Sequence, residues 1–291
     1  MMETTNLQAF VKVAETGSFS AAASQLFLTQ PAISKRIKQL ESQLDSKLLD
    51  RHGKQIQLTQ TGQALLPRAR QILQDIENTR QQISDLEGNP MGSFRMATSH
   101  HIGLHHLPPI LRAFTALYPD VNLDLNFMDS EQACKLVESN ELDLAVVTLP
   151  FESSHKLKLT PIWNDRLIII CAADHPLVNV NSPTLVDLVK YPAVLPSHGT
   201  FTREAIERAL KGIREELIIN LETNYLETIK MMASVGLGWS ILPQSMLDDG
   251  LYHLQIPAFQ SSRKLGIVLN KNRSQSKAVT AMLELIDEVK D

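Results

Sequence analysis

Two stretches of the sequence carry side chains whose types and spacing could do chemistry. The first runs from Thr29 through Gln30 and Pro31 to Lys38 and beyond. At about 100° per residue, Pro31, Ser34, Lys35, Lys38 and Ser42 share one helix face, and Ile33, Ile37, Leu40 and Leu44 share the opposite one. A helix buried on one side, with hydroxyl and ammonium groups on the other, suits a DNA major groove. A three-helix bundle with a solvated lysine face has the same spacing, so spacing alone leaves both readings open. The second stretch holds His100, His101, His105 and His106. If helical, His101 and His105 stand at i and i+4, a spacing that can chelate a metal ion. No cysteine or carboxylate close by in sequence completes such a set, so no metal is expected. The alternative uses are ring donors in a ligand loop and pH-dependent ligand binding, because imidazole titrates near neutrality.

Enzymatic chemistry finds little support. The sequence shows no Ser-His-Asp arrangement, no phosphate-binding Gly-rich loop and no convincing metal triad, so neither an enzyme nor a cofactor is expected. The two cysteines, Cys134 and Cys171, fall on separate predicted elements. They make no disulfide framework, fit a reducing cytoplasm, and are not expected to form a redox pair.

The elements that must position these residues follow from periodicity. Leu7, Phe10, Val11 and Ala14 mark a first helix, ended by Gly17. Ser18 caps a second, carrying Ala21, Ala22, Ala23 and Leu26. Thr29 caps the third, with Pro31 in its first turn. Ile56 and Leu58 alternate around Gln57 after Gly53, the pattern of a small β-hairpin that would place Arg51 and Lys54 at phosphates. A long helix then runs from about Thr59 to Leu86. Ala69, Ile76 and Ile83, with Leu65, Ile72, Thr79 and Leu86, form a short coiled-coil seam that must bury itself on its own domain or, the favoured reading, on a dimer partner. Gly88-Asn89-Pro90-Met91-Gly92 breaks it. Beyond the break, strands at 94–98, 121–128, 142–147, 167–171, 193–195, 218–223 and 264–269 alternate with helices, predicting an α/β fold with a mostly parallel sheet.

Composition agrees. The 291 residues are 43% hydrophobic and 21% charged, an ordinary globular balance. The longest apolar run, Leu167 to Ala173, is far short of the ~20 residues that span a bilayer, so no membrane partner is expected. Net charge is −4, yet residues 31–58 hold six basic against three acidic side chains, a local patch fit for phosphate.

Together, Gly17-Ser18-Phe19, Ala21-Ala22, Leu26, Gln30-Pro31-Ala32-Ile33-Ser34, Ile37, Leu40-Glu41, Leu48-Leu49-Asp50-Arg51 and Leu58-Thr59-x-x-Gly62 resemble the N-terminal signature of LysR-type transcriptional regulators. One departure is Leu49, where that family usually has phenylalanine; a repacked wing base is expected. The resemblance implies a winged helix-turn-helix over residues 1–60, a linker and dimerisation helix over 61–90, and an effector domain over 91–291. That domain would be two-lobed and similar to type 2 periplasmic binding proteins, with lobe I at about 91–155 and 264–291 and lobe II at about 156–263. DNA contacts would come from Thr29, Gln30, Pro31, Ser34, Lys35, Lys38, Arg51 and Lys54. A small-molecule effector would sit between the lobes, near Thr98, Ser99, His100, Met128, Ser130, Thr148, Ser197, His198, Thr200, Phe201 and Asn224. Strand ends meeting helix N-termini suit an anion, although each of these residues could equally be a helix cap. The resemblance further implies a dimer of dimers that bends double-stranded promoter DNA in the cytoplasm, engaging RNA polymerase if it activates. A solute-binding or ligand-sequestering protein of the same two-lobed fold is the alternative. A signal peptide would favour it, and the opening Met-Met-Glu-Thr-Thr-Asn has neither a basic leader nor an apolar core.

Overall fold

A computed structural model describes residues 3–52, 55–85, 88, 90–152 and 154–289. The chain forms two compact units that meet in sequence at Gly88 and Asn89.

The N-terminal unit begins with α1 (Thr4–Thr16), which Gly17 ends in the left-handed conformation at φ 62°. Ser18 caps α2 (Phe19–Gln25), accepting from the Ala21 N–H, and Thr29 caps α3 (Gln30–Leu44), accepting from Ala32. Leu7, Phe10, Ala22, Ile33, Ile37 and Leu40 form the shared core. A two-stranded hairpin follows, β1 (Leu49–His52) against β2 (Gln55–Leu58), with Leu49 opposite Leu58. Leu49 is buried in the same core.

The helix α4 (Gln60–Asp85) starts where the Thr59 hydroxyl donates to the Lys47 carbonyl and accepts from the Gly62 N–H. A Cβ at Gly62 would lie 2.1 Å from the Leu48 carbonyl oxygen, so only glycine fits this closure. That is the physical content of the Thr-x-x-Gly motif. The predicted seam divides in two. Leu65 and Ala69 pack into the unit's own core, whereas Ile72 and Ile83 face solvent; Leu86 lies outside the described residues.

In the C-terminal unit, β3 (Gly92–Thr98) pairs in parallel with β4 (Val121–Phe127) and β5 (Leu144–Thr148). Helices α5 (His100–His105), α6 (Pro108–Leu117) and α7 (Ser130–Glu138) connect them. In this sheet the expected mostly parallel pairing holds only for β3, β4 and β5, because two long strands that cross between the lobes pair antiparallel with their neighbours: β6 (Leu157–Ala172) leads out and β11 (Ser261–Asn270) leads back. The second lobe holds α8 (Leu185–Leu188), β7 (Ala193–Leu195), α9 (Phe201–Ala209), β8 (Ile219–Glu222), α10 (Leu226–Ser234), β9 (Ser240–Pro243) and β10 (Leu251–His253). The closing helix α11 (Lys277–Asp287) packs on α6 in the first lobe.

The family resemblance implies an outward crossing near residues 150–160. In the structure Ile162 and Trp163 still belong to the first-lobe core, and Leu167 and Ile169 belong to the second. The crossing therefore falls inside β6, which is also more than twice as long as the strand predicted over 167–171. No described helix is long and apolar enough to cross a membrane.

Candidate functional site

The outer face of α3 carries the predicted stripe. Thr29, Gln30, Pro31, Lys35 and Lys38 are exposed and Ser34 is half-buried, while Ile33, Ile37 and Leu40 are fully packed beneath. A shallow groove along this face is walled by Gln30, Pro31, Ser34, Lys35 and Lys38. Among the described residues neither lysine is ion-paired, so both ammonium groups are available to phosphate. Glu41 turns inward instead, accepting from the Leu48 N–H at 3.0 Å and from Lys47 at 3.1 Å, and so fixes the exit of α3 toward the wing. Arg51 lies on β1 by its backbone; its side chain, and Lys54 entirely, fall outside the described residues.

Two residues at this face gave no sequence signal. Asn6 on α1 lines the groove, is 1% exposed, and leaves both amide atoms without a partner. Phe27, in the turn before α3, is 96% exposed with φ 54°. Asparagine in a helix and an apolar residue in a turn are unremarkable in a sequence.

A cleft of about 40 Å³ lies between the lobes of the C-terminal unit. Of the predicted residues, Ser99, His100, Met128, Ser130, Thr148, Thr200 and Asn224 line it. Thr98, Ser197, His198 and Phe201 do not. The Thr98 hydroxyl is tied to the Val146 carbonyl at 2.8 Å inside the sheet, and Ser197 acts through its backbone, its N–H donating to the Asn224 side chain at 3.1 Å and its carbonyl accepting the Thr200 hydroxyl at 2.9 Å. His198 faces solvent, and the Phe201 ring packs against first-lobe apolar side chains.

Thr200 caps α9, accepting from the Arg203 N–H, so its hydroxyl is both a cap and a cleft wall. Several contacts hold the lobes together around the cleft. Asn224 donates to Asp129 at 2.9 Å, and the Glu131 carboxylate accepts from the Phe201 N–H at the start of α9. The His100 ring sits between Phe127 of one lobe and Tyr225 of the other, with centroids at 5.3 and 4.6 Å. Burial raises the pKa of Glu131 above the usual carboxylate value; the Phe201 N–H opposes the shift.

Arg263 on β11 also lines the cleft and had no sequence signal. It is 5% exposed, with Nε on Asp165 at 2.8 Å and Nη1 on Thr202 at 2.7 Å. Its Nη2 is buried without any partner. A buried guanidinium nitrogen left unpaired is costly, and an anion in the cleft would satisfy it.

The histidine cluster differs from its sequence reading. Residues 100–105 are helical, so His101 and His105 do share a face, with ring centroids 4.7 Å apart. The carboxylate missing locally comes from Glu227 on α10, 3.1 Å from His105 Nε2. His106 instead stacks on Trp163 at 4.7 Å. Burial, reinforced by Arg263, lowers the His101 pKa to about 3, so this ring is neutral. Both cysteines are buried, and burial pushes the thiols up to about 12 for Cys134 and about 11 for Cys171, which makes them poor nucleophiles.

A winged helix-turn-helix with a free polar reading face, followed by a two-lobed module around a cleft, defines a ligand-responsive DNA-binding regulator. The chain matches the family description "Bacterial regulatory helix-turn-helix protein, lysR family" over residues 4–63 and "LysR substrate binding domain" over residues 87–291. It belongs to the LysR family of transcriptional regulators, which are not enzymes. It is 31% identical over 276 residues to the HTH-type transcriptional activator CmpR of a Synechocystis strain, spanning 90% of each chain. Its fold is similar to full-length CbnR complexed with its target DNA, at TM-score 0.69 and 22% identity over 99% of each chain. It is also similar in fold to full-length OxyR from Pseudomonas aeruginosa, at TM-score 0.72 and 21% identity over 100% of this chain and 96% of that one.

Proposed function

We propose that this regulator reads promoter DNA with Thr29, Gln30, Pro31, Ser34, Lys35 and Lys38 at base edges and nearby phosphates. Arg51 and Lys54 brace the backbone beside them. The exposed half of the α4 seam, from Ile72 onward, pairs two such heads on an inverted repeat, and effector domains pair again into a tetramer. It acts in the cytoplasm, and contacts RNA polymerase where it activates.

The effector is a small anion, a carboxylate above all. The observation that carries this reading is the unpaired Nη2 of Arg263 in the cleft wall. At about 40 Å³ the cleft is far smaller than the ~300–1,000 Å³ of ordinary ligand pockets, so a metabolite enters as the lobes part. Its carboxylate then takes the Phe201 N–H from Glu131 and meets Arg263. Binding the parted state better than the closed one shifts the tetramer and the DNA bend.

A panel of small carboxylates and their uncharged amides, screened by thermal shift and then by gel shift on upstream DNA, tests this. Carboxylates should raise the melting temperature of the full chain and change the mobility of the DNA complex, with their amides inert. Equal stabilisation by acid and amide would remove the anion reading.

A further inference from the structure

Glu227 is 122 residues beyond His105 in sequence, yet its Oε1 lies 3.1 Å from His105 Nε2 and 3.9 Å from His101 Nδ1. One donor atom from each of the three side chains lies within 4.8 Å of the other two. Among the described residues this is the one group of histidines, cysteines and carboxylates so disposed. We propose that His101, His105 and Glu227 bind one divalent transition-metal ion, of the zinc class, that bridges the two lobes beside the effector cleft.

Three observations carry this beyond a chance cluster. The His101 side chain is 3% exposed, and neither ring nitrogen has a hydrogen-bond partner. A neutral imidazole carries one donor and one acceptor, so a fully packed ring with both unmet needs a partner that protein atoms do not provide. A metal ion on its lone pair is such a partner. Second, His105 and Glu227 are partly exposed, which gives an ion a route from solvent to the buried ring. Third, the donor set suits the ion. Two imidazoles and one carboxylate are a familiar open zinc set, leaving a position for water or for a donor atom of the effector.

Around a tetrahedral ion with bonds of about 2.0 Å, donor atoms stand about 3.3 Å apart. The His105–Glu227 pair is already there, and His101 must close in. The Arg263 charge opposes a cation at His101, but its ion pair with Asp165 at 2.8 Å offsets that charge. Because α5 belongs to the first lobe and α10 to the second, the ion would favour the closed cleft. His101 lines the cleft, but Glu227 and His105 do not, so metal binding by the effector-free chain is measured apart from the anion reading.

The test uses the untagged full chain, stripped of metal. Zn²⁺ is titrated in competition with a chromogenic chelator, and Co²⁺ is followed by its visible absorption. One Zn²⁺ per chain is expected at micromolar affinity or tighter, with Co²⁺ bands of a four- or five-coordinate site. H105N and E227Q should each weaken Zn²⁺ by about tenfold or more, with melting temperature in chelator close to the parent's. Both residues are exposed enough to be replaced without unfolding the chain. His155, exposed and remote in sequence, serves as the control: H155Q should bind like the parent. Zn²⁺ affinity kept in either H105N or E227Q, or no saturable binding at micromolar Zn²⁺, would overturn the site.

Discussion

The Glu131 carboxylate, on the first helix turn after β4, accepts the backbone N–H of Phe201 at the start of α9 in the opposite lobe. A side chain of the protein thus occupies a helix N-terminus that an anionic ligand would otherwise take.

That contact has a pH signature. Burial raises the folded-state pKa of Glu131 above its ordinary 4.5. The folded chain therefore holds this proton more tightly than the unfolded chain does. The stabilisation linked to it is fully present below the unfolded value and is lost as pH rises through the raised folded value. E131Q removes that component. The melting temperature of the parent minus that of E131Q should fall as pH climbs from about 4 toward neutrality. Parallel profiles over that window would show that the carboxylate is not held in this buried contact.

On α3, reversing the charge of Lys35 or enlarging Ser34 should disable DNA reading without unfolding the domain. Both side chains point away from the Ile33–Ile37–Leu40 core. K35E and S34R are expected to abolish the gel shift on the regulator's own upstream region while leaving oligomer size unchanged. Parent-like binding by both would mean the reading face lies elsewhere.

Gly62→Ala drives a Cβ to 2.1 Å from the Leu48 carbonyl oxygen, a backbone atom that cannot swing away. Overpacking of this kind costs about 1–3 kcal/mol. Chemical denaturation should show a loss of that size for the N-terminal unit, with DNA affinity falling alongside. A cost under about 0.5 kcal/mol, the usual range for a surface change, would contradict the closure.

In the cleft, S99A and T200A should each weaken the effector response and leave DNA affinity intact. Thr200 also caps α9, so T200A should cost about 1 kcal/mol of stability, which T200S restores. An unaltered dose response in both alanine variants would take these two loops out of the effector site.

Much of this was readable from residue order. The stripe on α3 was legible because helix period alone separates Ser34, Lys35 and Lys38 from Ile33 and Ile37. Leu58-Thr59-x-x-Gly62 was legible as a motif, and its reason emerged only with the Leu48 carbonyl in place. The first half of β6 was not legible, because Pro161 argues against a central strand. The structure accommodates it at a register shift, where Leu265 pairs with Trp163 but Gly266 pairs with Pro161. The helix α5 was missed for a similar reason. Three histidines and a glycine make a poor helix, but Gly103 lets Phe127 pack so close that a Cβ would sit 2.3 Å from its ring.

The sequence by itself determined the class of protein through the signature it shares with LysR-type regulators between Gly17 and Gly62, while local periodicity and capping placed the helices and the alternating α/β module within short spans of chain. Tertiary structure alone decided what meets across the lobes: Arg263 entering the cleft, Glu131 on the Phe201 N–H, and Glu227 closing on His101 and His105. Those partners are brought together by the path of β6 and β11 between lobes, and no local pattern encodes a contact over 122 residues.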